Sequence, residues 1–248
     1  MSISHLPYCG SPPVPGELLT RFNLDPVLIA LLLLLGAAHF AISRTAGARR
    51  CALGGWLAAA AAFISPLCAL SVSLFSARIA QHMILVLLAA PLIALALPRA
   101  SARLAGRTLW SATAVFFAAL WFWHMPLPYE ATFNSTGVYW MMHLTLFGSA
   151  IVLWRQLLQH GVERTAETLA AAALSSMQMG LLGAVLTLAS HPLFAWHLTT
   201  AGAWGLTPLQ DQQLGGTLMW VPGILLFLWA SLRSLHRLWG SLERGSSA

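Results

Sequence analysis

The chain has 248 residues, of which 58% are hydrophobic and only 8% are charged. Soluble globular domains carry about 25% charged residues, so this composition excludes an ordinary soluble domain and indicates a protein embedded in a lipid bilayer. All 13 basic residues are arginine, and the net charge is +6. The arginines lie in short loops and form no continuous basic face, so we expect the lipid bilayer as a partner and no nucleic acid.

Seven apolar segments follow one another along the chain, and none contains Asp, Glu, Lys or Arg. A bilayer core needs roughly 20 residues of helix, which these segments approach or reach. Their predicted bounds are Pro26–Ser43, Cys51–Leu70, Ile79–Leu97, Leu109–Met125, Val138–Trp154, Leu169–Ala189 and Leu214–Leu232. We predict an all-α polytopic membrane protein with a short tail at 1–25, a seven-helix domain at 26–235 and a second tail at 236–248.

Loop charges predict how these helices are oriented. The loops after the first, third and fifth segments, together with the C-terminal tail, hold eleven arginines, whereas the opposite side holds only Arg21 and Arg78. Arginine is enriched in the cytoplasmic loops of membrane proteins. The N-terminus is therefore predicted to lie outside the cytoplasm and the C-terminus inside. The first 25 residues lack the basic start and apolar run of a signal peptide, so we expect a short translocated tail.

Histidines gather at the predicted outer ends of three different helices. His82 opens the third segment, His124 closes the fourth and His143 lies early in the fifth. Met83 and Met142 are direct neighbours of two of them. Imidazole with thioether sulfur is a ligand set that suits copper, Cu(I) above all, so we predict these five residues as metal ligands. The alternative is ordinary: interfacial histidines often only form hydrogen bonds, and methionines often only fill the core.

Five further residues are predicted to support this site from the same side: His191, Asp211, Gln212, Met219 and Arg78. Asp211 is a candidate either to orient a histidine or to cap a helix. Arg78 lies one turn before His82, so the two side chains share a helix face. A cation there disfavours a second cation nearby, which weighs against a metal directly on His82.

Several classes of membrane protein are excluded by missing residues. A retinal protein needs a lysine for its Schiff base, and the chain has none. The hydrolase signatures HExxH and GxSxG are absent from the sequence, so we do not expect an enzyme. Cys9, Cys51 and Cys68 form no CxxC pair. Cys51 and Cys68 are predicted to lie at opposite ends of one helix, too far apart for a disulfide.

Several of these stretches also resemble a known family. They are Ala80–Leu85, Ala89–Leu92, Trp123–Pro126 followed by His143, and the longest pair of motifs, Asp211–Gly216 and Met219–Gly223. Together they resemble the CtaG family of caa(3)-type cytochrome c oxidase assembly factors, over residues 26–235. The resemblance implies a seven-helix protein of the bacterial cell (inner) membrane that acts with cytochrome c oxidase subunits at the copper-delivery step. The family often has a histidine where Arg78 stands.

Three other functions remain open from the sequence. A metal-free scaffold for oxidase subunits needs none of the histidines as ligands. A haem-binding protein is built from two histidines on neighbouring helices, but haem ranks behind copper because its ligands usually lie deeper in the bilayer. A copper transporter needs ligands that continue inward, for which the candidates are Met177, Gln178, Met179 and Met219. We predict a copper-handling assembly factor with an outward-facing His/Met cluster.

Overall fold

A computed structural model describes residues 6–98, 102–159 and 162–246, without the side chains of 102–107 and 245–246. This part of the chain is 85% helical and contains no strand, which confirms the all-α class. The α-helices are α1 (Pro26–Ile42), α2 (Ala46–Ile64), α3 (Pro66–Ser73), α4 (Phe75–Met83), α5 (Ala90–Ala96), α6 (Ala102–Trp123), α7 (Pro126–Asn134), α8 (Thr136–Gln159), α9 (Thr165–Leu188) and α10 (Pro208–Ser246). The predicted tail 236–248 thus begins inside α10.

Length and apolar composition qualify some of these helices to cross a membrane. Among the described residues, four continuous helices qualify: Phe75–Ala96, Thr136–Gln159, Val162–Leu188 and Pro208–Arg244. The pair α2 and α3, bent by 50°, makes a fifth if it is one span. Two shorter apolar helices, Pro26–Ile42 and Thr108–Trp123, coincide with the first and fourth predicted spans. The count of seven spans and the N-out orientation therefore stay predictions.

Large apolar side chains cover much of the outer surface of the bundle. Leu33, Leu34 and Leu188 are each more than three-fifths exposed, at 68%, 66% and 79%. A water-soluble monomer rarely exposes contiguous apolar surface of this kind. The surface is therefore suited to contact with lipid.

The helix Phe75–Ala96 lies at the centre of the bundle. Its apolar window is 67% buried, more than that of any other candidate span in the described chain. Between α4 and α5 the helix widens into a π-helical segment, Ile84–Ala89, in which the Ala90 amide donates to the Leu85 carbonyl. Pro91 follows and has no amide hydrogen, so it removes a normal helical hydrogen bond and favours this irregular turn. The helix also starts four residues before the predicted Ile79, so Arg78 lies within it.

Small residues let α9 and α10 pack closely. A Cβ atom added to Gly183 would lie 2.7 Å from Cβ of Trp220 and 2.9 Å from the carbonyl oxygen of Gly216. On the other side of α10, a Cβ added to Gly215 would lie 2.6 Å from the Phe75 ring. These glycines allow backbones to approach where a side chain would clash. A Cβ at Gly180, in contrast, would meet nothing within 4 Å.

Candidate functional site

Three histidine rings meet inside one end of the bundle, which we call the histidine end. His82 comes from α4, His124 from the residue after α6, and His143 from α8. The His82 ring lies 5.5 Å from the His124 ring and 5.2 Å from the His143 ring, measured between centroids. All three side chains are at most 4% exposed. The fold therefore brings together the three histidines that the sequence places on separate helices.

Backbone carbonyls hold two of the rings in a defined tautomer. Nδ1 of His124 lies 2.6 Å from the Leu120 carbonyl oxygen, and Nδ1 of His143 lies 3.0 Å from the Tyr139 carbonyl oxygen. A carbonyl only accepts hydrogen bonds, so each Nδ1 carries the hydrogen and each Nε2 keeps a free lone pair. Metal-binding histidines are commonly oriented in this way.

The remaining ring nitrogens have no hydrogen-bond partner. These atoms are Nδ1 and Nε2 of His82, Nε2 of His124 and Nε2 of His143. Leaving a buried polar atom unpaired costs about 1–3 kcal/mol, so such a cluster calls for a physical reason. The rings meet edge to face, at interplanar angles of 84° and 70°. In this packing, no three His, Cys, Asp or Glu side chains of the described residues form a group able to hold a metal ion.

Arg78 lies in an aromatic cage beside the histidines. Its side chain is buried, and its guanidinium carbon lies 4.3 Å from the Phe133 ring centroid and 5.6 Å from that of Tyr139. It donates hydrogen bonds to the Ser71 carbonyl and to the Thr132 hydroxyl. Cation–π contacts and hydrogen bonds thus take the place of an acidic partner, because neither ion pair between described residues includes Arg78.

The predicted methionine ligands lie in the apolar core around the rings. Met83 and Met142 are 6% and 0% exposed, and Met219 is also buried in the same core. Neighbouring positions on a helix point about 100° apart. Met83 and Met142 therefore project away from the directions taken by His82 and His143. His191 is exposed and contacts Ser190, outside the buried cluster.

Asp211 caps a helix, although not its own. Its carboxylate accepts hydrogen bonds from the amides of Phe75 and Ser76, at 2.7 and 3.0 Å, and from the Ser76 hydroxyl at 2.5 Å. A carboxylate at a helix N-terminus stabilises both the free amides and the helix dipole. Because α4 carries Arg78 and His82, this contact between α10 and α4 fixes the position of the central histidine.

Gln212 and His197 fasten the loop between α9 and α10. The Gln212 side chain accepts from the Leu193 amide and donates to the Leu186 carbonyl. Both ring nitrogens of His197 are partnered, Nδ1 with the Ser73 carbonyl and Nε2 with the Tyr129 hydroxyl. Burial, aided by the charge of Arg78, lowers the pKa of His197 to about 3. His197 is therefore a neutral structural residue with no free nitrogen for a metal.

A disulfide ties the N-terminal tail over this end of the bundle, a feature that the sequence analysis missed. It joins Cys9 to Cys68, with Cα atoms 5.4 Å apart, and leaves Cys51 free. Tyr8 stacks on Tyr139, at 4.8 Å between centroids, and the Tyr139 ring lies 4.3 Å from that of His143. The signal was available, because Cys9 and Cys68 are the two cysteines predicted on the outer side. Disulfides form in extracytoplasmic compartments, which agrees with that orientation.

The comparisons with known proteins give a family and no individual relative. Neither the curated proteins nor the solved structures yield a match to this chain. A family model described as cytochrome c oxidase caa3 assembly factor (Caa3_CtaG) matches residues 39–240. The matched range holds the three clustered histidines, Arg78 and Asp211, and it covers most of the 248 residues. The chain therefore belongs to the Caa3_CtaG family of cytochrome c oxidase caa3 assembly factors.

Proposed function

We propose that this membrane protein handles copper during cytochrome c oxidase assembly and binds Cu(I) between His82, His124 and His143. The observation that carries the proposal is the set of four unpartnered ring nitrogens, buried together and drawn from α4, from the residue that follows α6, and from α8. The family suggests a non-enzymatic role. In this role copper is cargo, which the protein takes up and passes to an oxidase subunit in the bacterial cell membrane.

The chemistry of the donors favours Cu(I). Neutral imidazoles are good copper ligands, and the Nε2 lone pairs of His124 and His143 are free to form bonds. A single positive charge is also repelled less by Arg78 than a double charge would be. The rings must turn from their edge-to-face contacts before three nitrogens face one ion. Such a site is suited to transient binding, whereas a permanent metal centre has its ligands already in place.

The alternatives fit the geometry less well. A haem held by two histidines needs room for the porphyrin between them, but the rings of His82 and its two neighbours are in contact. A transporter needs ligands that continue through the bundle. Of its four candidates, Gln178, Met179 and Met219 are buried, at 3%, 1% and 0%, but Met177 is 67% exposed on the outer surface and is lost. The metal-free scaffold is favoured by one observation, the lack of a ready-made metal group among the described residues.

The direct test is the copper content of the purified protein. The full chain in detergent is loaded with Cu(I) under reducing conditions that preserve the disulfide, and copper per chain is measured after desalting. We expect about one copper per chain in the wild type, and at least a tenfold weaker affinity in H124A/H143A. The control is H191A, which removes an exposed histidine and should bind as the wild type does. Equal copper in H124A/H143A and wild type would refute the site.

A cellular measurement then tests the role in assembly. Cells that carry H124A/H143A should accumulate the protein in the membrane while their oxidase contains less copper than in wild-type cells. Oxidase with full copper content and normal activity in that strain would contradict copper handling. If cells that lack this protein altogether also had normal oxidase, the proposed role in oxidase assembly would be refuted.

A further inference from the structure

The opposite end of the bundle, which we call the arginine end, contains an open cavity of about 1180 Å³. It lies where α1, α5, α8 and α10 come together with the start of α2. Its lining includes Ile42, Arg44, Leu95, Leu158, Arg233 and Arg237. This is the end of the bundle that the loop arginines predict to be cytoplasmic.

The cavity has a strong and uncompensated positive charge. Its described lining includes Arg44, Arg233 and Arg237 but no aspartate or glutamate. The two ion pairs between described residues, at Arg21 and Arg164, lie elsewhere. Arg237 donates to the Leu158 carbonyl at 3.4 Å, and Arg233 lies over the Trp229 ring at 5.7 Å. Neither contact neutralises the charge, so the cavity attracts an anion.

Apart from Thr45 and Gln159, the other lining residues are apolar. Ile42, Leu95, Leu97 and Leu158 form a wall beside the arginines. A ligand that matches both the arginines and the apolar wall has an anionic group next to a hydrocarbon chain. Guanidinium groups bind phosphate oxygens with well-directed hydrogen bonds. Basic pockets between membrane helices on the cytoplasmic side bind the head groups of anionic lipids.

We propose that this cavity is a binding site for an anionic phospholipid, with its phosphate held by Arg44, Arg233 and Arg237. The glycerol and the first part of the acyl chains lie against the apolar wall. A free phosphate shares the anionic chemistry but makes no use of that wall. The site is separate from the histidines and does not depend on copper handling. A bound lipid at this position fastens α1 and α10 to the middle of the bundle.

The experiment uses the full chain, freed of lipid in a neutral detergent. Binding of phosphatidylglycerol is measured by native mass spectrometry and by the shift of the thermal unfolding midpoint. Phosphatidylcholine with the same acyl chains and inorganic phosphate are the comparison ligands. We expect R233Q/R237Q to weaken phosphatidylglycerol binding about 25-fold, at about fivefold for each arginine near the membrane surface. R44Q, in a loop, should weaken it about fivefold and tests the site if the double variant fails to fold.

A matched control separates a site from general attraction to a basic surface. Arg50 is exposed on the same side of the protein but does not line the cavity. R50Q removes the same charge and should bind phosphatidylglycerol as the wild type does. Equal weakening in R50Q and R44Q would overturn the proposal. If inorganic phosphate stabilised the wild type as much as phosphatidylglycerol does, the choice of a lipid would be overturned. Unchanged copper binding in R233Q/R237Q would support two independent sites.

Discussion

At the histidine end, a disulfide and a folded tail close the bundle over buried imidazoles and the buried Arg78, whereas at the arginine end three cations line an open cavity. The difference fits the ligand that we propose for each end. Unpaired imidazoles keep their lone pairs for a metal only where water is excluded. Arginines attract an anion only where it has access. Under the two proposals, the ends bind ligands of opposite charge, and this contrast can be tested at single residues.

The largest expected effect comes from removing the disulfide. It closes a loop with a sequence separation of 59 residues, for which the chain-entropy model gives about 4 kcal/mol of stabilisation. C68S should lower the thermal unfolding midpoint and loosen the tail over His143. C51S, at the arginine end, is the control and should change the midpoint little. Thiol counting on the unfolded wild type should find one free thiol without reductant and three with it. Three free thiols without reductant would contradict the closed histidine end.

The second effect comes from the cap that Asp211 provides to α4. D211A leaves two buried amides and the Ser76 hydroxyl without their acceptor, and we expect a loss of about 3 kcal/mol in the free energy of unfolding. The displaced helix should also weaken copper binding at His82. E167A is the control, because its partly exposed surface ion pair with Arg164, 3.6 Å long, is worth at most about 1 kcal/mol. Equal losses in the two variants would show that the α10–α4 contact has no special role.

The smallest effect is a dependence of stability on pH. The pKa of His197 is about 3 in the folded protein because of burial, and about 6.5 in an unfolded chain. Between these two pKa values, His197 is protonated in the unfolded chain but neutral in the folded protein. Its contribution to stability is therefore fully present above pH 6.5 and is lost as the pH falls. At pH 5 this histidine should cost about 2 kcal/mol.

The variant H197Q should reduce the slope of the unfolding midpoint between pH 6.5 and 5. H236Q, which replaces an exposed histidine near the arginine end, should leave the slope unchanged. A slope in H197Q as steep as that of the wild type would assign the pH dependence to other groups.

Much of the architecture could be predicted because it depends on local patterns. Apolar runs such as Leu169–Ala189 predict a helix wherever they lie, and the fold has α9 at that place. The helix ends were less accurate. The predicted second segment is broken at Ser65 and Pro66, because serine caps a new helix and proline starts it. Arg78 lies inside a helix because the Asp211 cap starts α4 four residues earlier than the apolar pattern does.

The sequence by itself determined the membrane character, the helical class and the three histidines as candidates, since each depends on composition, period or residue type. Only the tertiary structure decided that the three rings touch, that Cys9 pairs with Cys68 and that Asp211 caps a helix 135 residues away. The physical reason is that these contacts join distant parts of the chain. Their partners are chosen by how the helices pack, which no local pattern of residues encodes.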